Sequence, residues 1–273
     1  SGQYVVLDQQ FKDYTVVHIE SALHVNKIEH SRSDIVNTNI LGYDLQLFSS
    51  NIISPNYKIR VKDEAGSRFV PTKLPKPMQG TTRNGGKVSL TFNDDFIYGF
   101  INDGDDMIYI EPLSHFEQGK PKDLYVVYNV KDIVDDGPKT CGVTEMEEKY
   151  RDATQQAQNH KRSVGQCYEV EWAIANDWLM FQSYGSIGAV ENHAIGVVND
   201  VQTNYDNEFE DEIQFFVSEQ FVSSCSTCDP WTSNTDAGIL LSSFRNWGPG
   251  GFSFSHDIGS LWTDRNFNGS TIG

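Results

Sequence analysis

Little in this 273-residue sequence is basic: 21 Lys and Arg stand against 38 Asp and Glu, a net charge of −17. A nucleic-acid partner is excluded on that count, because phosphate contacts need clustered Lys and Arg, and anionic membrane surfaces are disfavoured for the same reason. No apolar run approaches ~18 residues, so no membrane-spanning helix is expected. Four cysteines, Cys141, Cys167, Cys225 and Cys228, are too few to build a disulfide scaffold of this size. The seven histidines (His18, His24, His30, His115, His160, His193 and His256) include no two that lie four apart, so the sequence lacks an H-E-x-x-H zinc motif. What is present is apolar bulk: 16 Phe, 12 Tyr and 5 Trp suffice for real cores and argue against wholesale disorder. The length suits one large domain or two ordinary ones.

Charge is unevenly spread. Residues 167–273 hold 15 acidic residues but only Arg245 and Arg265 as bases, and no lysine follows Lys161. So abrupt a shift predicts two modules with different surfaces, the less acidic one docking on the other partly by charge. The first module reads as short strands at Tyr4–Leu7, Tyr14–Ile19, Tyr43–Phe48, Tyr57–Val61, Val88–Phe92, Ile97–Ile101, Met107–Glu111 and Leu124–Tyr128. Turn clusters such as Asn84-Gly85-Gly86 separate them, a pattern that points to an antiparallel barrel or sandwich. Pro71, Pro75 and Pro77 predict an exposed loop. Asp132–Gln166 is polar, without an apolar stripe, and reads as an exposed connector.

From Cys167 onward strand and helix alternate. A strand is predicted over Tyr168–Ala175, a helix over Gly185–Tyr205 and a strand over Glu212–Val222. A second helix over Thr232–Trp247 should stop at Gly248-Pro249-Gly250-Gly251, before a strand at His256–Thr263. That order implies an α/β layer with neighbouring parallel strands.

The run PKTCGVT at Pro138–Thr144 resembles the cysteine-switch motif in pro-domains of the reprolysin/ADAM branch of the metzincin zinc proteases. Ile97–Leu113, IYGFINDGDDMIYIEPL, is similar to the end of that family's pro-domain. Tyr168–Ser186 looks like the first strand and turn of its catalytic domain, and Ser260–Gly273 like its third strand and the entry to its fourth. The resemblance implies an α+β fold, with a β-rich antiparallel pro-domain followed by an incomplete α/β metzincin-like upper subdomain. Its domains would be residues 1–163, a pro-domain with cysteine switch and connector, and residues 167–273, the N-terminal part of the catalytic domain. The family's H-E-x-x-H-x-x-G-x-x-H site should follow the fourth strand, beyond Gly273. Zinc is therefore expected in the complete enzyme, with none bound to this chain alone and no activity from it.

Cys141 is the sharpest candidate. A thiolate ligates zinc at roughly 2.3 Å and can fill the position a catalytic water needs. Gly142 beside it lets the backbone approach a cleft closely. By resemblance Cys141 is the inhibitory zinc ligand of the latent enzyme; by spacing alone an ordinary buried or unpaired cysteine remains open. Setting it aside leaves Cys167, Cys225 and Cys228, an odd number. The Cys225-x-x-Cys228 pair reads as a local disulfide, a redox pair or half of a zinc ribbon. Lys161 and Arg162 read as a processing site, or as ordinary solvated surface. Asp264–Gly269 matches the first half of a calcium loop, against the plainer reading of a polar turn. Ser270, Thr271, Ile272 and Gly273 begin the strand that in the family pairs with extended substrate.

The reading as a whole is the latent N-terminal portion of a secreted or extracellular zinc metalloendopeptidase. Its partners would be the remainder of its own catalytic domain and protein or peptide substrates. The alternative is a non-enzymatic pro-domain-like inhibitor or protein-binding module; an inhibitor acting in trans still needs a free Cys141, whereas an adhesion module does not.

Overall fold

The computed structural model describes residues 4–134, 140–141, 167–268 and 271–272. Two short helices, α1 (Val5–Gln10) and α2 (Ser21–Glu29), flank β1 (Thr15–His18). There follow β2 (Val36–Ile40), β3 (Tyr43–Ser49), β4 (Ile53–Asp63), β5 (Gly66–Val70), β6 (Lys76–Thr82), β7 (Lys87–Asn93), β8 (Phe96–Asp103), β9 (Asp106–Pro112) and β10 (Leu124–Asn129). Eight of these strands pair antiparallel in the order β1-β10-β9-β8-β7-β6-β3-β2 and curl into a half-barrel.

Alternation explains the sheet's outer strands: Val36, Thr38 and Ile40 of β2 point inward while Asn37 and Asn39 face solvent. The central strands β7 and β8 are buried on both faces. One face packs Leu90, Phe92, Ile97, Ile101 and Leu47 around Val25 of α2. Each fully buried side chain of this kind contributes about 1.5–3 kcal/mol. The other face carries Ser89 and Thr91, and lies against the second half of the chain.

That half contains β12 (Tyr168–Asn176), α3 (Trp178–Tyr184), α4 (Ile187–Phe209), β13 (Ile213–Ser223), α5 (Ala237–Gly251) and β14 (Ile258–Trp262). The helices begin where side chains take up orphan amides: Asp177 accepts from Met180 N, Ser186 from Ala189 N and Asp236 from Ile239 N. A five-stranded sheet runs β14-β12-β13-β4-β5, parallel except for the β4–β5 hairpin. Helix α4 packs Ala194, Ile195 and Val198 on one face of it, against Ile174, Phe215 and Val217. Helix α5 covers the other with Leu240 and Phe244, against Phe221, Trp231 and Phe252.

This arrangement corrects the expected fold class. The protein is mostly β-sheet, dominated by the curled antiparallel sheet, and its second half is not a helix-plus-sheet metzincin-like upper subdomain. The parallel layer is not the property of the second half: β4, from the first half, pairs with β13 from Val217↔Ile53 to Ser223↔Lys62. The reason is backbone satisfaction. Without β4, a row of β13 amides and carbonyls would lack partners. Charge contributes one close pair to this junction, Arg60 Nε to Glu219 Oε1 at 2.9 Å, with Glu219 fully buried.

Local readings also shift. Tyr4–Leu7 lies at the start of a helix, and Pro77 lies in β6 rather than in a loop. Pro77 faces Ser50 at the end of β3 and accepts from its N–H at 2.9 Å, so the missing proline N–H falls at the ladder's last rung rather than inside it. Helix α5 runs through Pro249 to Gly251. Trp247 explains the Gly: a Cβ at Gly251 would lie 2.2 Å from the indole Cε2.

Gly99 is the backbone position with least latitude. Its φ is +137° and a Cβ there would meet the Ser89 carbonyl oxygen at 2.1 Å, inside the β7–β8 ladder. Gly99→Ala should cost roughly 2–4 kcal/mol, read as a fall in the urea midpoint. Gly104→Ala, at φ +72° in open space, should cost only about 1 kcal/mol; equal losses would refute the steric account.

Candidate functional site

The sequence candidates divide sharply. Thr140–Cys141, labelled β11, pairs in parallel with Thr271–Ile272, β15, in the register Thr140↔Thr271 and Cys141↔Ile272. The fold thus brings the cysteine-bearing strand onto the expected substrate-edge strand, far along the chain by that register. Lys161, Arg162, Ser270 and Gly273 lie outside the described residues. Cys225 and Cys228 form a disulfide in the loop after β13, with Cys228 buried. Cys167 is an exposed free thiol.

The segment that leads from β14 to β15 is pinned by an arginine that sequence reading passed over. Arg265 Nε donates to Asp177 Oδ2 at 2.9 Å, and its terminal nitrogens donate to Asp229 Oδ2 at 3.0 Å and the Thr232 carbonyl at 2.9 Å. Its side chain is only 4% exposed. Asp177 Oδ2 also accepts from Thr263 Oγ1 at 2.5 Å, while Oδ1 caps α3 through Met180 N. Asp229 Oδ1 accepts from Trp178 N at 2.9 Å. Burial holds the Asp229 carboxyl above its ordinary value, and neighbouring Asp177 adds to that rise. One guanidinium therefore ties two carboxyls, Asp177 and Asp229, to the segment that follows β14. Neighbours of Arg265 are spent in the same turn: Asp264 accepts from Ser183, and Asn268 Oδ1 accepts from Thr235. A signal was available, since Arg265 is one of just two bases after residue 166.

Two further buried carboxyls lie where β4 meets the second half. Glu219 accepts from Arg60, Ser253 N and Phe254 N, so both of its oxygens are satisfied. Glu191 on α4 accepts from Tyr57 Oη at 3.0 Å and Thr72 Oγ1 at 2.8 Å. Burial holds its carboxyl above the ordinary glutamate value. Its partners are neutral hydroxyls, a set that joins elements rather than one that activates a nucleophile. Neither was legible as buried, because an isolated Glu within a helix or strand pattern reads as solvent-facing.

Zinc chemistry needs three or four donors on one ion. Among the described residues no three His, Cys, Asp or Glu side chains are grouped to hold a metal. The described residues do not by themselves fit a catalytic zinc centre. No helix among the described residues is long and apolar enough to cross a membrane.

No protein-family model matches the chain. Among solved structures it is similar to metalloproteinase-II from Bacteroides fragilis, at 9% sequence identity and a TM-score of 0.40. The alignment covers 89% of this chain and 65% of that one. The structural likeness is thus to a metalloproteinase, and it is too distant to carry an assignment of activity.

Proposed function

We propose that this chain is the latent N-terminal portion of a secreted zinc-dependent metalloendopeptidase, in which residues 1–163 hold residues 167–273 inactive through a cysteine switch at Cys141. The observation that carries the reading is the parallel pairing of Thr140–Cys141 with Thr271–Ile272. An extended strand laid on a substrate-binding edge occupies the main-chain hydrogen bonds that substrate would use. On this reading the Cys141 thiolate takes the place of the metal's catalytic water. Lys161 and Arg162 would then mark where maturation severs the two parts. When bound, the zinc ion would polarise the scissile carbonyl and activate water.

The test is to read the coding sequence past the Gly273 codon and assay the full product on a denatured protein substrate. An H-E-x-x-H-x-x-G-x-x-H run, with hydrolysis abolished by a metal chelator after processing at Lys161–Arg162, is the expected result. A stop codon at that point, or hydrolysis indifferent to chelation, overturns the proposal.

A further inference from the structure

Helix α4 meets the eight-stranded sheet through polar atoms. Thr91 Oγ1 on the sheet and Asn199 Oδ1 on the helix are buried without hydrogen-bond partners, while Ser89 and Gln79 of the sheet reach the Asp200 and Asp206 carboxyls of the helix. Direct bonds across this seam are few, among them Asn93 Nδ2 to Asn192 Oδ1 at 2.9 Å and Asn199 Nδ2 to the Met78 carbonyl at 3.0 Å. Gly196 marks the tightest approach, since a Cβ there would lie 2.6 Å from Tyr98 Cδ1. A permanent core is apolar, whereas a seam of neutral polar groups leaves both sides soluble once parted.

One turn before Gly196, His193 sits in a ring of aromatic side chains drawn from four other elements. Tyr184 of α3 stacks on it at 4.6 Å between centroids, and Tyr98 of β8 meets it edge-on at 5.2 Å. His115, in the 3-10 turn Leu113–His115, meets it at 5.3 Å, and Trp262 of β14 lies at 6.4 Å. The two imidazoles thus belong to different halves of the chain. His115 is 8% exposed at its side chain, and the Nδ1 atoms of both rings are sealed from solvent without a hydrogen-bond partner.

A neutral imidazole tolerates this, because it can keep its proton on Nε2 and leave Nδ1 as a bare lone pair. On His193 a second proton must go to Nδ1, where it becomes a buried donor with no acceptor, packed against the His115 ring. The nearest carboxylate, Glu111, faces His115 rather than His193. Glu111 of β9 lies 3.9 Å from His115 Nδ1, and its carboxylate already accepts from the Tyr128 hydroxyl of β10. Asp200, two turns along α4, is held well above its ordinary value by burial. Asp264, after β14, is engaged with Ser183. The Tyr98, Tyr109 and Tyr184 hydroxyls stay neutral.

We propose that His193 and His115 form an acid-sensitive clasp: uptake of a proton at His193 parts α4 from the eight-stranded sheet and loosens the first half of the chain from the second. The sign agrees with linkage. Burial, reinforced by His115, holds His193 well below its ordinary 6.5, so in mild acid the unfolded or opened state binds more protons than the closed one. The stability His193 lends is complete above that ordinary value and is lost as pH falls below it. Asp200 and Glu191, both raised, act in the opposite direction, so histidine variants are needed to isolate the clasp. Nothing in this inference requires the chain to belong to a protease.

Amide hydrogen exchange on the intact chain, corrected for intrinsic rates and compared at about pH 7.5 and about pH 5, tests it. Peptides covering Ile187–Phe209 and Phe96–Asp103 should lose about tenfold in protection in acid, while the β2–β3 hairpin keeps its own. A His115→Gln, His193→Gln double variant should keep protection within about twofold across the same range. Should that variant fold poorly, His115→Gln alone removes the repulsion that opposes a proton on His193 and should move the midpoint of the loss to lower pH. Unchanged protection in the wild type, an equal loss in the double variant, or an unmoved midpoint in the single variant overturns the clasp.

Discussion

Cys141→Ala in the full-length protein should raise the activity of the unprocessed form roughly a hundredfold, the gain expected when a lock that keeps about 99% of molecules closed is removed. The expectation rests on the β11–β15 pairing, which sets Cys141 opposite Ile272. Two backbone pairs cannot hold an inhibitory strand on their own, since an isolated two-residue bridge stabilises by little more than its hydrogen bonds. On the proposed reading the lock is held by the zinc–thiolate bond, which the alanine variant removes while leaving the strand in place. Cys141→Ser should behave like the alanine, because a hydroxyl is a far poorer zinc ligand than a thiolate. A thiol-labelling experiment gives a second readout. Cys167, exposed and free, should be alkylated promptly, whereas Cys141 in the zinc-loaded full-length protein should be protected until chelator is added. An unprocessed alanine variant as silent as the wild type, with wild type active after processing, would sink the switch.

Arg265→Ala should destabilise the chain by about 3–5 kcal/mol, the usual cost of removing one partner from a buried ion pair. Asp177 is fully buried and Asp229 is 13% exposed, so neither can turn to water when the guanidinium goes. At this chain length that loss corresponds to a fall of roughly 10 °C in Tm. The effect should be strongly non-additive with Asp229→Asn, which removes one of the two stranded charges while keeping an acceptor for Trp178 N. The double variant should therefore recover about 1–2 kcal/mol relative to Arg265→Ala alone. A loss below about 1 kcal/mol would place Arg265 among ordinary surface ion pairs and refute its role as a clamp. Because Arg265 ties down the segment that follows β14, the variant should also expose the Thr271–Ile272 amides to faster hydrogen exchange.

Much of the second half was readable directly. Strand–helix–strand–helix–strand follows from the period of Val190, Ala194, Val198 and Val201 and from continuous apolar runs such as Ala173–Ala175, and Asp177, Ser186 and Asp236 mark helix starts by their capping chemistry. In the first half the period-2 runs found most strands, but α2 went unread because its apolar stripe is thin: Val25 is its one deeply buried hydrophobic residue. Helix α4 was visible as a helix and invisible as a seam. Its Glu191, Asn192, Asn199 and Asp200 look solvent-facing in one dimension, and all are buried because sheets close on the helix from two sides.

The sequence by itself determined the parts: where backbone periodicity makes strands and helices, the excess of negative charge, the PKTCGVT run around Cys141 and the want of an H-E-x-x-H pair. These depend on neighbours within a few residues, and such neighbours are written in order along the chain. Only the tertiary structure decided that β4 leaves the first half to pair with β13, that Arg265 sits between Asp177 and Asp229, that His115 meets His193, and that Cys141 falls opposite Ile272. Each of those contacts joins residues dozens to more than a hundred positions apart. Each is selected by competition among all available edges, charges and apolar faces for burial, a competition that no local pattern records.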